Sequence, residues 1–250
     1  ADIGRTTHTG EDDVFYMPSI DKVRAHKVPV TYGEDVRDYS ICLRHYTIFP
    51  YELLTAKPWS AIPCELIVHF WLFRIILKNR KDFGQTPEQR GLQWFEHSMF
   101  FPGRWKAKNV LAFADVATHN HFVLDHGGKV FNRTAPVIKL PASATVDDHL
   151  GLLGLLNSSM ACFWLKQVCF PKDGRSQEWF ERFAFNAANV GDFPVATERP
   201  GDLAHRLDKL AQQRAAWLPA AIFSRGLPSR AELDAARREA ERLRHLMIAW

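Results

Sequence analysis

Beyond Pro200 the apolar residues of this 250-residue chain fall into a seven-residue repeat, which restricts the fold more than any other feature of the sequence. Leu203, Leu207, Leu210, Arg214, Trp217 and Ala221 alternate by four and three, and after Pro219 and Pro228 the spacing resumes at Leu233, Ala236, Ala240, Leu243, Met247 and Trp250. Positions spaced in this way share one helical stripe, so the spacing predicts two helices packed as an antiparallel hairpin with a mechanical role. Trp250 still falls on the stripe at the last residue. The expected partner surface therefore continues past it, and the chain reads as a piece of something longer.

The preceding 198 residues have a different grain. Short β-rich runs at Val14–Met17, Tyr39–Leu43, Tyr46–Phe49, Val110–Val116 and His121–Leu124 alternate with turn-formers, and Asp125-His126-Gly127-Gly128 predicts a hairpin turn into Val130-Phe131. Helices are expected over Ile62–Arg80, with Pro63 in the first turn, and over Val146–Val168, the most apolar segment. Gly91–Lys108 reads as an exposed loop or short helix, and Phe183–Val195 as extended. The expectation is an α+β chain: a mixed domain over 1–198, then the helical hairpin over 199–250.

The net charge of +4 lies in the tail, where residues 199–250 hold ten Lys/Arg against six Asp/Glu, while residues 1–198 hold twenty-two of each. Within that neutral body residues 70–110 carry eight basic and three acidic side chains, and residues 1–40 carry five and eight. Such a basic strip suits a phosphate backbone, with a solvated helix face as the alternative. Cys42, Cys64, Cys162 and Cys169 form no CxxC pair, so a zinc site is not expected. Their apolar settings suit buried free thiols in a reducing cytosol. The apolar run Ala61–Leu77 is interrupted by Glu65, His69 and Arg74 and is too short to span a bilayer.

Catalytic constellations are not evident. Gly151 and Gly154 sit in an apolar helix, where they serve close packing better than a phosphate loop. Ser158-Ser159 lacks a nucleophile-elbow context. Asp12-Asp13 sits in a turn, and Asp147-Asp148 begins a helix, where aspartates cap backbone amides. His119-Asn120-His121 could in principle ligate a metal, but successive residues of an expected strand point to opposite faces, so the three do not converge, and contact of Asn120 or one histidine with DNA or solvent is preferred.

Five phrases, taken in order, resemble the C-terminal target-recognition region of large adenine-specific DNA methyltransferases of the type IIG, BREX and DISARM phage-defence kind. They are Thr9-Gly10-x-x-Asp13-x-Phe15, Gly33-Glu34-Asp35-Val36-Arg37-Asp38-Tyr39, Ile48-Phe49-Pro50-Tyr51, Leu152-Leu153-Gly154-Leu155-Leu156-Asn157-Ser158-Ser159, and Asn189-Val190-Gly191-Asp192-Phe193-Pro194-Val195. The resemblance implies a mixed α/β domain that grips duplex DNA opposite a catalytic domain, which binds S-adenosylmethionine and flips the target adenine. This chain has neither the glycine-rich cofactor loop nor the Asn-Pro-Pro-aromatic tetrapeptide of that domain. By itself it is expected to bind no cofactor and to methylate nothing. Expected partners are double-stranded DNA, the catalytic domain of the same parent and other subunits of a defence system.

Residues that touch DNA are chosen by chemistry, because arginine and asparagine make paired hydrogen bonds to base edges whereas lysine neutralises phosphate. Arg37, Arg104, Asn120 and Arg175 are the base-contact candidates, and Lys78, Arg80, Lys81, Lys106 and Lys108 the phosphate candidates. The alternative for each is a surface charge or an internal bond, most pointedly for Arg37 between Asp35 and Asp38. The rival reading of the whole chain is a protein-interaction module that docks subunits of a defence complex; an autonomous nuclease or hydrolase ranks third.

Overall fold

A computed structural model describes residues 1–17, 26–37, 39–172 and 181–248. In chain order the first elements are β1 (Asp2–Gly4), β2 (Thr7–His8), the single turn α1 (Asp12–Phe15), β3 (Tyr16–Met17), β4 (Lys27–Thr31), β5 (Val36–Arg37), β6 (Ser40–Ile41) and β7 (His45–Ile48). Next come α2 (Cys64–Leu72), α3 (Arg74–Asn79), β8 (Met99–Phe100), α4 (Pro102–Trp105), β9 (Val110–Phe113), β10 (Val116–Ala117), β11 (Phe122–Asp125), β12 (Val130–Phe131) and β13 (Val137–Lys139). The chain then runs through α5 (Val146–Leu156), α6 (Ser159–Val168), β14 (Phe170–Pro171), β15 (Phe183–Ala184), α7 (Ala187–Gly191), α8 (Gly201–Ala215), α9 (Pro219–Phe223) and α10 (Arg230–Ile248).

The central sheet has the order β1-β13-β9-β11 and is antiparallel throughout. Its pleat sorts two cores. Leu111, Phe113, Phe122, Leu124 and Ile138 face α5, α6 and α8, while Val110, Ala112, Val123 and Val137 face Val36, Phe131 and Ala135. Both faces are covered, which is why these strands read as apolar runs. A second sheet, β12-β4-β7-β3, separates two further cores. Val28 pairs with Thr47 and Lys27 with Ile48, so adjacent residues of β7 and its extension point oppositely. Ile48 packs with Phe15, Leu66, Phe70 and Leu77 under α2 and α3, whereas Val28, Val30 and Phe49 pack with Phe100 and Trp105 on the α4 side.

Four local expectations are corrected. The turn at 125–128 forms, with Gly127 and Gly128 at φ 81° and 76°, but β12 leaves its neighbour and pairs in parallel with β4. The helix expected over 62–80 breaks at Phe73 (φ −101°, ψ 7°), whose ring packs on the α2 core, and Pro63 is the cap residue. The helix expected over 146–168 breaks at Asn157-Ser158. There Asn157 spends its side chain on Phe122, accepting from its N–H and donating to its carbonyl, both at 2.9 Å, while the Ser158 hydroxyl caps α6 by accepting from Ala161 N at 3.1 Å. The Leu-Asn-Ser phrase is thus a corner that locks α5 and α6 to the central sheet. Phe183–Val195 is extended only at β15 and then turns into α7.

The capping reading of Asp148 holds: Thr145 and Asp148 form a reciprocal capping box at the start of α5. So does the packing reading of the glycines. A Cβ on Gly154 would lie 2.9 Å from Ala204 Cβ and 3.0 Å from Pro200 Cγ, and one on Gly151 would lie 3.1 Å from Arg199 Cδ, so these positions let α8 lie close on α5. Helix α8 packs against both α5 and α10, with Ala204 in the main core. Ala236 and Leu243 of the seven-residue stripe are buried in α10, and short α9 adds a third helix between the two that were expected. Trp250 lies outside the described residues.

Candidate nucleic-acid interface

Three of the nine chosen residues are committed to the fold, and these choices are corrected. Arg80 closes α3 with 6% of its surface exposed. Its guanidinium donates to the carbonyls of Thr9 at 2.7 Å, Trp94 at 3.4 Å and Glu96, and lies 5.6 Å above the Phe15 ring. Burial draws its pKa down to about 10. Five donors in a rigid fork suit such a crosslink better than any other side chain, so the phosphate role fails on access. Asn120, 8% exposed, donates to Leu156 O at 2.5 Å and Ser158 O at 3.4 Å, satisfying carbonyls that the broken helix leaves open. Arg104 grips β1, with Nε and Nη2 on Asp2 Oδ1 at 3.0 and 2.7 Å and Nη1 on Arg5 O at 2.9 Å. Arg175 lies outside the described residues.

The basic strip of 70–110 is divided in space. Lys78 and Lys81 are exposed at the end of α3, on one side of the second sheet. Lys106, whose ammonium donates to Thr55 O at 2.6 Å, and Lys108 are exposed after α4 on the other side. Adjacency in sequence does not make one strip of them.

Arg37 sits at a cleft of about 560 Å³. One wall is Tyr32, Gly33, Glu34 and Arg37; the other is Val116, Ala117, Thr118, His121 and Arg182, with Thr134 between them. The Gly33-Glu34-Asp35 turn closes on Thr134, whose hydroxyl accepts from Gly33 N at 2.9 Å; a Cβ on Gly33 would come within 2.3 Å of Thr134 O, so no larger residue fits. Asp35 Oδ2 accepts from Tyr32 N at 2.9 Å. Arg37 Nη1 donates to Gly33 O at 2.6 Å and Val36 O at 2.5 Å, which fixes the guanidinium at the cleft wall. Across the cleft β10 pairs with β15, and Lys172 N donates to Arg182 O at 2.6 Å. Arg133 and Lys172 oppose the effect of burial on Asp115, which raises that carboxyl's pKa, and so stand close to the same wall. Arg37 and Arg182 thus line the cleft together with Glu34, and Arg133 and Lys172 lie within electrostatic reach of Asp115, the residue before Val116 of its wall.

Sequence reasoning singled out Arg37 and missed Arg133 and Arg182. No local signal marks them, because they are assembled by the β10–β15 pairing and the Thr134 contact. A second cleft, also about 560 Å³, runs between the α5–α6 corner and the α8–α10 hairpin, and its polar lining includes His119, Arg214 and Arg244. His121 lines both clefts, so they adjoin.

Among the described residues no three His, Cys, Asp or Glu side chains are grouped to hold a metal ion, and no helix is long and apolar enough to cross a membrane.

No family model matches the sequence. The chain is 39% identical over 230 residues to an adenine-specific methyltransferase, PglX, of Streptomyces coelicolor, with 87% of this chain and 19% of that protein covered. The similarity is to a stretch of that adenine-specific methyltransferase. The chain spans about a fifth of the length of the curated protein it matches. Its fold is that of part of MmeI, a Type IIL restriction-modification enzyme whose structure was solved in complex with DNA: the TM-score is 0.57 at 12% identity, over 97% of this chain and 32% of the other.

Proposed function

We propose that this chain is the DNA target-recognition part of an adenine-specific DNA methyltransferase of a restriction-modification or phage-defence system. The sequence relation to an adenine-specific methyltransferase over 87% of the chain carries the reading. The fold shared with an enzyme captured on DNA supports it, and the cleft walled by Arg37, His121 and Arg182 is where base edges and phosphates are received. Arginine is suited to both tasks, pairing with guanine through two donors and with phosphate through charge. S-adenosylmethionine binding and adenine flipping belong, in this reading, to a catalytic part outside these 250 residues. The helix that carries Gly151 and Gly154 is filled at those positions by Arg199, Pro200 and Ala204, which leaves no cradle for a cofactor.

The test is fluorescence anisotropy of the purified chain against random duplex DNA at two salt concentrations. Binding that weakens steeply with salt is expected, because each neutralised phosphate releases counterions. Binding absent at low salt sinks the recognition reading and leaves the interaction module.

A further inference from the structure

Helices α2 and α3 are apolar on both sides. Leu66, Phe70 and Leu77 are buried beneath them, yet Val68 (71% exposed), Trp71 (63%), Leu72 (75%) and Ile75 (75%) form an outward stripe at helical spacing, extended by Ile67 and Ile76. A helix that is apolar all round belongs in an interior, and single exposed leucines need no explanation whereas a continuous stripe of this kind does. Cations border the stripe: the Arg74 guanidinium lies 4.7 Å over the Trp71 ring, and Lys78 and Lys81 are exposed at its C-terminal end.

We infer that this stripe is the docking face for the catalytic methyltransferase part, which meets it with an apolar centre and an acidic rim. The inference rests on the reading of the chain as a recognition part. Two observations select this occupant. The curated relative carries four-fifths of its length outside the matched stretch, so a large partner surface from the same polypeptide is at hand at high effective concentration. Duplex DNA has no apolar surface of this extent, so the polyanion belongs at the arginine cleft and the stripe is left for protein.

Cys64, exposed at the start of α2 and four residues before Val68, is a native reporter on this face. The test compares its iodoacetamide labelling, read by peptide mass spectrometry against buried Cys169, in the 250-residue chain and in a polypeptide that carries these 250 residues together with the methyltransferase part. Labelling at Cys64 is expected to slow about tenfold or more in the longer polypeptide, as for a group reached only through local opening. Replacing Val68→Glu and Leu72→Glu together restores the fast rate there and leaves the isolated chain folded, since both side chains already face water. Equal rates in the two proteins overturn the inference. So does a dimer of the isolated chain that the double variant abolishes, which assigns the face to a second copy, or binding to anionic vesicles lost in the same variant, which assigns it to a bilayer. None of these readouts involves DNA, so failure of the recognition reading in the anisotropy experiment and failure of the docking face are told apart.

Discussion

Two regions of this molecule are rich in cations, and they use them in opposite ways. Around α3 and β8 the basic residues are dense in sequence, and the structure commits the arginines among them at 80, 90 and 104 to internal bonds. Arg80 joins three backbone carbonyls, Arg90 meets Asp82 at 3.3 Å, and Arg104 holds Asp2. Around β10 and β15 the cations are sparse in sequence, and the fold brings Arg37 and Arg182, far apart along the chain, to one open cleft. Arg80, beside an aromatic ring with carbonyls on its edge, is a crosslink; Arg37 also bonds the Gly33 and Val36 carbonyls but lines an open cleft. Density of charge along a chain therefore says little about an interface until the partners of each group are known.

The sharpest way to break this contrast is at Arg80. Replacement with methionine keeps the packing over Phe15 but strands the Thr9, Trp94 and Glu96 carbonyls, and an expected loss of about 5 kcal/mol follows from unsatisfied groups of this kind. Urea denaturation measures it. A variant as stable as the parent that instead loses DNA binding places Arg80 back at an interface and reverses the comparison.

The same buried region sets an acid sensitivity. His97 is fully enclosed against the rings of Phe15, Phe49 and Tyr51, with its nitrogens on Thr7 Oγ1 at 2.5 Å and Ile48 O at 2.9 Å. Burial pushes its pKa from 6.5 down to about 3. The unfolded chain then takes the proton first as the pH falls, so this contribution is complete above 6.5 and is lost progressively down to about 3. The shift corresponds to on the order of 5 kcal/mol across that window. A series of denaturation curves measures this slope, and His97→Gln, though less stable at neutral pH, removes the part due to this proton. A slope unchanged in the variant assigns the acid sensitivity to other groups.

The cleft is tested by Arg37→Ala with Arg182→Ala. A base contact of this type is worth about 1–3 kcal/mol, so a fall in DNA affinity of roughly a hundredfold is expected for the pair. The thermal midpoint of Arg182→Ala alone stays near that of the parent, because its side chain is exposed. Unchanged affinity in the folded double variant removes the cleft from the recognition surface.

Much of this architecture was legible because it depends on local chemistry. The seven-residue stripe marks α8 and α10, Asp148 marks a capped helix start, and the close fit of Gly154 against Ala204 follows from a glycine in an otherwise apolar helix. The corner at Asn157 was not legible. It exists because the Asn157 side chain bonds Phe122, thirty-five residues away, and periodicity carries no trace of that partner. The parallel pairing of β12 with β4 is hidden for the same reason, since a glycine turn indicates a reversal of direction but not which strand lies alongside afterwards. At the site, Arg37 was visible through its turn motif. Arg182 was not, since nothing beside it in sequence distinguishes it from other exposed arginines.

The smallest effects, and the finest test of the contrast, belong to the four exposed lysines. Tyr32 lines the arginine cleft and also packs with the α4-side core, so the layer that carries Lys106 and Lys108 is continuous with the cleft wall. Lys78 and Lys81 lie across the second sheet, beside the apolar stripe of α2 and α3. A duplex seated in the cleft therefore passes the first pair and misses the second. Lys106→Ala with Lys108→Ala is expected to weaken binding several-fold and to lower the salt slope by about one for each phosphate no longer neutralised. Lys78→Ala with Lys81→Ala leaves both quantities unchanged, and stability moves by no more than about 0.5 kcal/mol in either pair. Equal weakening by the two pairs requires a DNA path that crosses the edge of the sheet, and the division of cations between fold and interface is then drawn at Arg80 alone.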